Sequence, residues 1–245
     1  MIETLGSADL AFAAGGAVLA GVVRGFSGFG GAMVLVPILA ATYGPQTAVP
    51  VMVLTDFVLT LPLAWAARHR CAWREIMPLT GGYALALPGG IAVLLVADPT
   101  LLTRATGLMV LALAALMALG FRRRAATTRG AAAGVGLAAG FLSGSTGIGG
   151  PPVVLFWLGG RDAAARVRAN LIVLFTLVGA LSLTLLTASG LNTRTTLTLT
   201  AVLMPLYGLG LLTGARGFTG LSERVYRPAA RILIAVAGLT ALLRA

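Results

Sequence analysis

A chain of 245 residues with 58% hydrophobic and 10% charged residues, and a mean hydropathy of +0.96, excludes a soluble domain and reads as a polytopic membrane protein. Its formal charge of +11 comes from 18 arginines, with no lysine, against seven acids. The arginines fall between apolar segments, where they act as topology signals, and nucleic acid is excluded as a partner.

The N-terminus carries Glu3 and Asp9 and no basic residue before Arg24, so it lacks the basic start of a cleavable signal peptide and the first apolar segment is expected to remain. Residues 8–43 enclose the run Ser27-Gly28-Phe29-Gly30-Gly31 and predict a pair of shorter helices meeting at a break. Crossing helices are expected near 47–67, 75–97 and 101–120. The loop between the first two holds Arg68, His69, Arg70, Cys71 and Arg74; a lone cysteine forms no intrachain disulfide, and it reads as a bystander thiol. After a basic loop near 121–130, residues 131–160 enclose Thr146-Gly147-Ile148-Gly149-Gly150 and predict a second pair of short helices. Further crossings are expected near 169–189, 195–215 and 229–244.

Fourteen arginines, from Arg68 to Arg231, fall on one side of this scheme and only Arg104, Arg194 and Arg244 on the other. The richer side is cytoplasmic by the positive-inside rule, which puts both termini outside and makes the two helix triplets antiparallel. Each glycine stretch must then start and finish on the same side, as a re-entrant hairpin or a pair of crossing helices. Aligning Gly31 with Gly150 gives an offset of 119 residues, and aligning Pro88 with Pro205 gives 117. The expected fold is therefore all-α and integral to the membrane: two inverted repeats, residues 1–124 and 125–245, in one transmembrane domain, with broken or re-entrant helices carrying the glycine motifs at the midplane.

Broken backbone is tolerated in hydrocarbon only where it lines a cavity or is buried in protein. A helix starting after each break aims unpaired N–H groups and a positive dipole end at one centre, which is an anion site without a cationic side chain. Pro151-Pro152 suits a first helical turn. The candidate substrate-binding residues are Ser27, Gly28, Gly30 and Gly31 with Ser143, Ser145, Thr146, Gly149 and Gly150. Close helix packing is the competing explanation of these small residues, and it is the preferred one for Gly15, Gly16, Gly134 and Gly136. Arg24, three residues before Ser27, is placed in the break, where an arginine costs about 2.5–3.5 kcal/mol on insertion scales and demands a partner. That partner is a substrate anion or Asp56, the one acid placed deep in the membrane and the candidate coupling residue. A purely structural Arg24–Asp56 salt bridge stays open, and its counterpart position in the second half is Ser143. Asn170, Thr176 and Tyr207 supply polar contacts to the site or hydrogen bonds between helices. No enzyme, metal or cofactor constellation is present: one histidine and one cysteine share a loop, and nucleophile-elbow and P-loop patterns are absent.

At Gly25–Leu39 (GFSGFGGAMVLVPIL) and Ser143–Leu158 (SGSTGIGGPPVVLFWL) the chain resembles the sulfite exporter TauE/SafE family over essentially its whole length. The resemblance implies a secondary transporter of small anions such as sulfite, thiosulfate or sulfonates across the bacterial inner membrane, and points to Ser27–Gly31 and Thr146–Gly150. Arg24 and the Pro151-Pro152 pair depart from a symmetric pattern. Proton or sodium coupling and an oligomeric state stay open. So do a passive anion channel, a carrier of small organic carboxylates, and a receptor that binds an anion without moving it.

Overall fold

The computed structural model describes residues 7–118, 128–158 and 164–217. Within them the chain is helical throughout: α1 Ser7–Ser27, α2 Gly31–Tyr43, α3 Pro45–Ala67, α4 Trp73–Val96, α5 Pro99–Ala118, α6 Arg129–Thr146, α7 Gly150–Leu158, α8 Ala164–Ala188 and α9 Arg194–Gly217. Five of these, α1, α3, α4, α8 and α9, are long and apolar enough to cross a bilayer. The expected crossing near 229–244 lies outside the described residues.

The boundaries follow local chemistry. Gly44, at φ +80°, separates α2 from α3, and Pro45 opens α3, where a missing N–H costs nothing. The Asp98 carboxylate accepts the Leu101 N–H at 2.9 Å at the head of α5, and the Thr128 hydroxyl accepts the Ala131 N–H at 3.2 Å at the head of α6. Pro78 and Pro88 lie inside a continuous α4, and Pro205 inside a continuous α9.

The first glycine stretch differs from expectation. Instead of two short helices, α1 is a 21-residue helix and only α2, with 13 residues, is short. Arg24 therefore belongs to the last turn of α1 rather than to the break. Nothing between Ser7 and Ser27 forces an earlier stop: Gly15, Gly16, Gly21 and Gly25 all stay helical, because in an apolar medium an internally bonded backbone outweighs glycine's poor propensity. α2 then folds back along α1, so that a Cβ on Gly16 would lie 2.7 Å from Ile38 Cδ1.

The most extensive contacts join α4 to α6, then α1 to α9, then α3 to α8. Each pairs one helix from before residue 124 with one from after it. The first two are glycine seams. A Cβ at Gly136 or Gly140 of α6 would strike the Leu79 or Tyr83 carbonyl of α4, and one at Gly21 or Gly210 would strike the Tyr207 or Val18 carbonyl across α1 and α9. Gly15 and Gly134, expected to pack, have nothing within 4 Å of a Cβ, whereas Gly16 and Gly136 do pack. Leu85, Val96, Leu101 and Leu209 are well exposed on the outer surface, as lipid-facing side chains are. Inside, one apolar cluster is built mainly by α1, α2, α3 and α9 and another by α4, α6, α7 and α8.

Candidate anion site

Between the two clusters lies a cavity of about 80 Å³, room for a few waters or one small anion. Asp56, Tyr83, Phe175 and Tyr207 stand in the middle third of helices of 23 to 25 residues, so the site sits at mid-depth of the bundle. Arg24 donates Nε–H to Asp56 Oδ1 at 2.7 Å and Nη2–H to Asp56 Oδ2 at 2.8 Å, a two-pronged pair. Its Nη1 donates to the Gly28 carbonyl in the break. The Tyr207 hydroxyl donates to Asp56 Oδ1 at 2.9 Å, and the Arg24 guanidinium carbon lies 5.5 Å from the centre of the Phe175 ring. Arg24 is 4% exposed and Asp56 17%, so the carboxylate is the more accessible partner.

The breaks hold this arrangement by conformations that side chains resist. Gly28, Gly30 and Gly147 have φ of +78°, +89° and +74°. At Gly31 a Cβ would collide with the Tyr207 hydroxyl, so only glycine lets the start of α2 meet the triad. The two starts offer different donors. The Met33 N–H turns back to the Gly30 carbonyl at 3.1 Å, leaving Gly31 and Ala32 at the head of α2. In α7 the prolines at 151 and 152 carry no N–H, so Gly150 supplies the only amide of the first three positions.

Of the expected site residues, Arg24, Gly30, Gly31, Asp56, Ser143, Gly149 and Gly150 line the cavity, while Ser27, Gly28, Ser145 and Thr146 are not among its lining. The Ser27 hydroxyl donates to the Val23 carbonyl at 2.6 Å and accepts the Phe29 N–H at 3.2 Å. The Ser145 hydroxyl donates to the Phe141 carbonyl at 2.9 Å, and that of Thr146 to the Leu142 carbonyl at 2.7 Å. These hydroxyls close the ends of α1 and α6 rather than face a ligand. Thr176 meets Thr60 at 3.1 Å, and Asn170 accepts the Ala72 N–H at 2.7 Å, so both bond between segments. In the loop between α3 and α4 the Cys71 thiol donates to the Arg68 carbonyl at 3.3 Å, and burial pushes its pKa up, which disfavours the thiolate.

Tyr83, Phe175 and Ser182 also line the cavity, in addition to the residues expected from the sequence. A signal existed for Phe175: the offset of 119 residues that relates Gly31 to Gly150 and Arg24 to Ser143 also relates Asp56 to Phe175. All four of these counterparts, Arg24, Ser143, Asp56 and Phe175, reach the same cavity. Tyr83 is a polar-tipped side chain midway along an apolar span; Ser182 carries no mark in the sequence.

A family model described as Sulfite exporter TauE/SafE matches residues 13–241. No curated protein and no solved structure matches the chain.

Proposed function

The chain belongs to the sulfite exporter TauE/SafE family, a family of membrane transporters, and from that premise we propose that it is a secondary transporter of a small sulfur-containing anion, such as sulfite, thiosulfate or a sulfonate. The observation that carries this reading is the buried Arg24–Asp56 pair, braced from outside the cavity lining by Tyr207, beside two glycine breaks in one cavity.

The chemistry is a competition for one cation. While Asp56 holds both prongs of Arg24, the site is neutral and its strongest donors are occupied. A proton on Asp56 removes the carboxylate charge and releases the Arg24 N–H groups to the oxygens of an incoming anion, whose remaining oxygens meet the amides at the head of α2. One proton then crosses with the anion, so that a monovalent anion such as hydrogensulfite moves with no net charge and a divalent one such as thiosulfate moves with one net negative charge. The Tyr207 hydroxyl keeps the carboxyl in place through the exchange.

The symmetric seams and the convergence of offset-related residues on one cavity support reading residues 1–124 and 125–245 as inverted repeats. At 1.5 Å per residue the 13 residues of α2 reach about 20 Å against a hydrocarbon core of ~30 Å, which favours a fold-back over a crossing. The arginine pattern favours the bacterial inner membrane with both termini outside.

The test is uptake of radiolabelled sulfite, thiosulfate and sulfoacetate into proteoliposomes under an imposed pH or sodium gradient. Saturable uptake is expected to rise with acid on the side of entry, to disappear in Arg24→Ala, and to lose its response to pH in Asp56→Asn. Flux indifferent to both gradients in the unaltered protein would make it a passive channel instead.

A further inference from the structure

Ser182 is 3% exposed, its Oγ has no hydrogen-bond partner, and it lines the cavity. An unpaired hydroxyl so deep in an apolar bundle is disfavoured unless something in the cavity completes it. It does not stand alone. Tyr83, 4% exposed, lines the same wall, and its hydroxyl lies close to those of Ser143 and Ser182. Ser143 in turn abuts the second break, since a Cβ on Gly149 would sit 2.8 Å from Ser143 Cβ.

The position of this cluster relative to Arg24 can be read along α8. Phe175, Val178, Gly179 and Ser182 form one stripe of that helix facing the cavity. Seven residues separate the Phe175 ring, beside Arg24, from Ser182, about 10 Å along the axis. Between them Val178, Gly179 and Phe57 make an apolar waist. The cavity thus has a charged end at the first glycine break, an apolar middle, and an uncharged hydroxyl end at the second break, where the two prolines have removed backbone donors.

We propose that Tyr83, Ser143 and Ser182 form a second, uncharged subsite that donates hydrogen bonds to an acceptor oxygen at the far end of the anion held by Arg24. The cargo that fits is a two-headed organic anion: an anionic group at one end, a short carbon body, and a carboxylate or hydroxyl oxygen at the other. A one-headed anion leaves the Ser182 hydroxyl unpaired.

This inference rests on the transport reading, and one experiment separates the two. Uptake of radiolabelled sulfoacetate into proteoliposomes is measured in competition with unlabelled sulfoacetate, 2-hydroxyethanesulfonate and ethanesulfonate, for the unaltered protein, Ser182→Ala and Tyr83→Phe. Removing one hydrogen bond is expected to weaken 2-hydroxyethanesulfonate roughly five- to tenfold, and sulfoacetate, whose far end is a charged carboxylate, at least as much, while ethanesulfonate competes as before. Ser182→Ala deletes a hydroxyl that lies near that of Tyr83 but makes no hydrogen bond of ordinary geometry, so thermal unfolding in detergent is expected at a nearly unchanged temperature. Equal weakening of all three probes, or no weakening, overturns the subsite while leaving transport intact. An unaltered protein that handles none of the three overturns the transport reading and the subsite with it.

Discussion

The Arg24 guanidinium is held from three directions, by Asp56, by the Gly28 carbonyl and by the Phe175 ring. Removing one member of a buried pair leaves the other uncompensated, typically a loss of about 3–5 kcal/mol, whereas replacing both is far milder. Arg24→Ala and Asp56→Asn are therefore each expected to lower the unfolding temperature in detergent. The double variant Arg24→Gln/Asp56→Asn is expected to regain most of that stability and still carry no anion. A double variant that transports at the unaltered rate would reduce the pair to a structural brace. Both residues were conspicuous in the sequence because an ionised group inside an apolar span is costly. Their pairing was one of two options there. Choosing between them required knowing that the last turn of α1 faces the middle of α3, and that Tyr207, some 150 positions later, closes on the same carboxylate.

Helices α1 with α9 and α4 with α6 approach so closely because glycine lies on the facing surfaces. The effect of a substitution should therefore depend on which side of the helix a glycine occupies. Gly140→Leu in α6 drives a side chain into the Tyr83 carbonyl and is expected to destabilise strongly, with loss of monodisperse protein in detergent. Gly134→Ala, six residues earlier with open space around its Cβ, is expected to be neutral or to stabilise by up to about 1 kcal/mol, measured by thermal unfolding. Composition alone could not separate these cases, since all these glycines sit in similar small-residue runs. Helix existence was legible where the apolar run was long: α3, α4, α5, α8 and α9 fall close to the expected positions. The length of α1 was not, because glycine's role as a breaker in water does not carry over to an environment where leaving the helix strands backbone groups.

At the scale of the molecule, the three principal seams each join a helix from before residue 124 to one from after it, and among the described residues both apolar clusters draw on both stretches. The α3–α8 seam offers a way to arrest relative motion. A Cβ at Gly179 would lie 3.7 Å from Phe57 Cβ, within the ~3.5–4.5 Å a disulfide requires. In a Cys71→Ala background, oxidising Phe57→Cys/Gly179→Cys is expected to stop flux and reduction to restore it; conduction that persists in the oxidised form would exclude alternating access. The membrane environment, the all-helical class, the duplicated glycine breaks and the family were legible from the chain alone, because each is written in local composition or short-range spacing. The tertiary structure decided which polar groups meet: Arg24 with Asp56 and Tyr207, Tyr83 near Ser143 and Ser182, and Ser27, Ser145 and Thr146 turned back onto their own helices. The reason is geometric, since the rotation of each helix about its axis is set by glycine contacts with partners more than a hundred residues away in α1–α9 and about fifty away in α4–α6, and no local pattern records it.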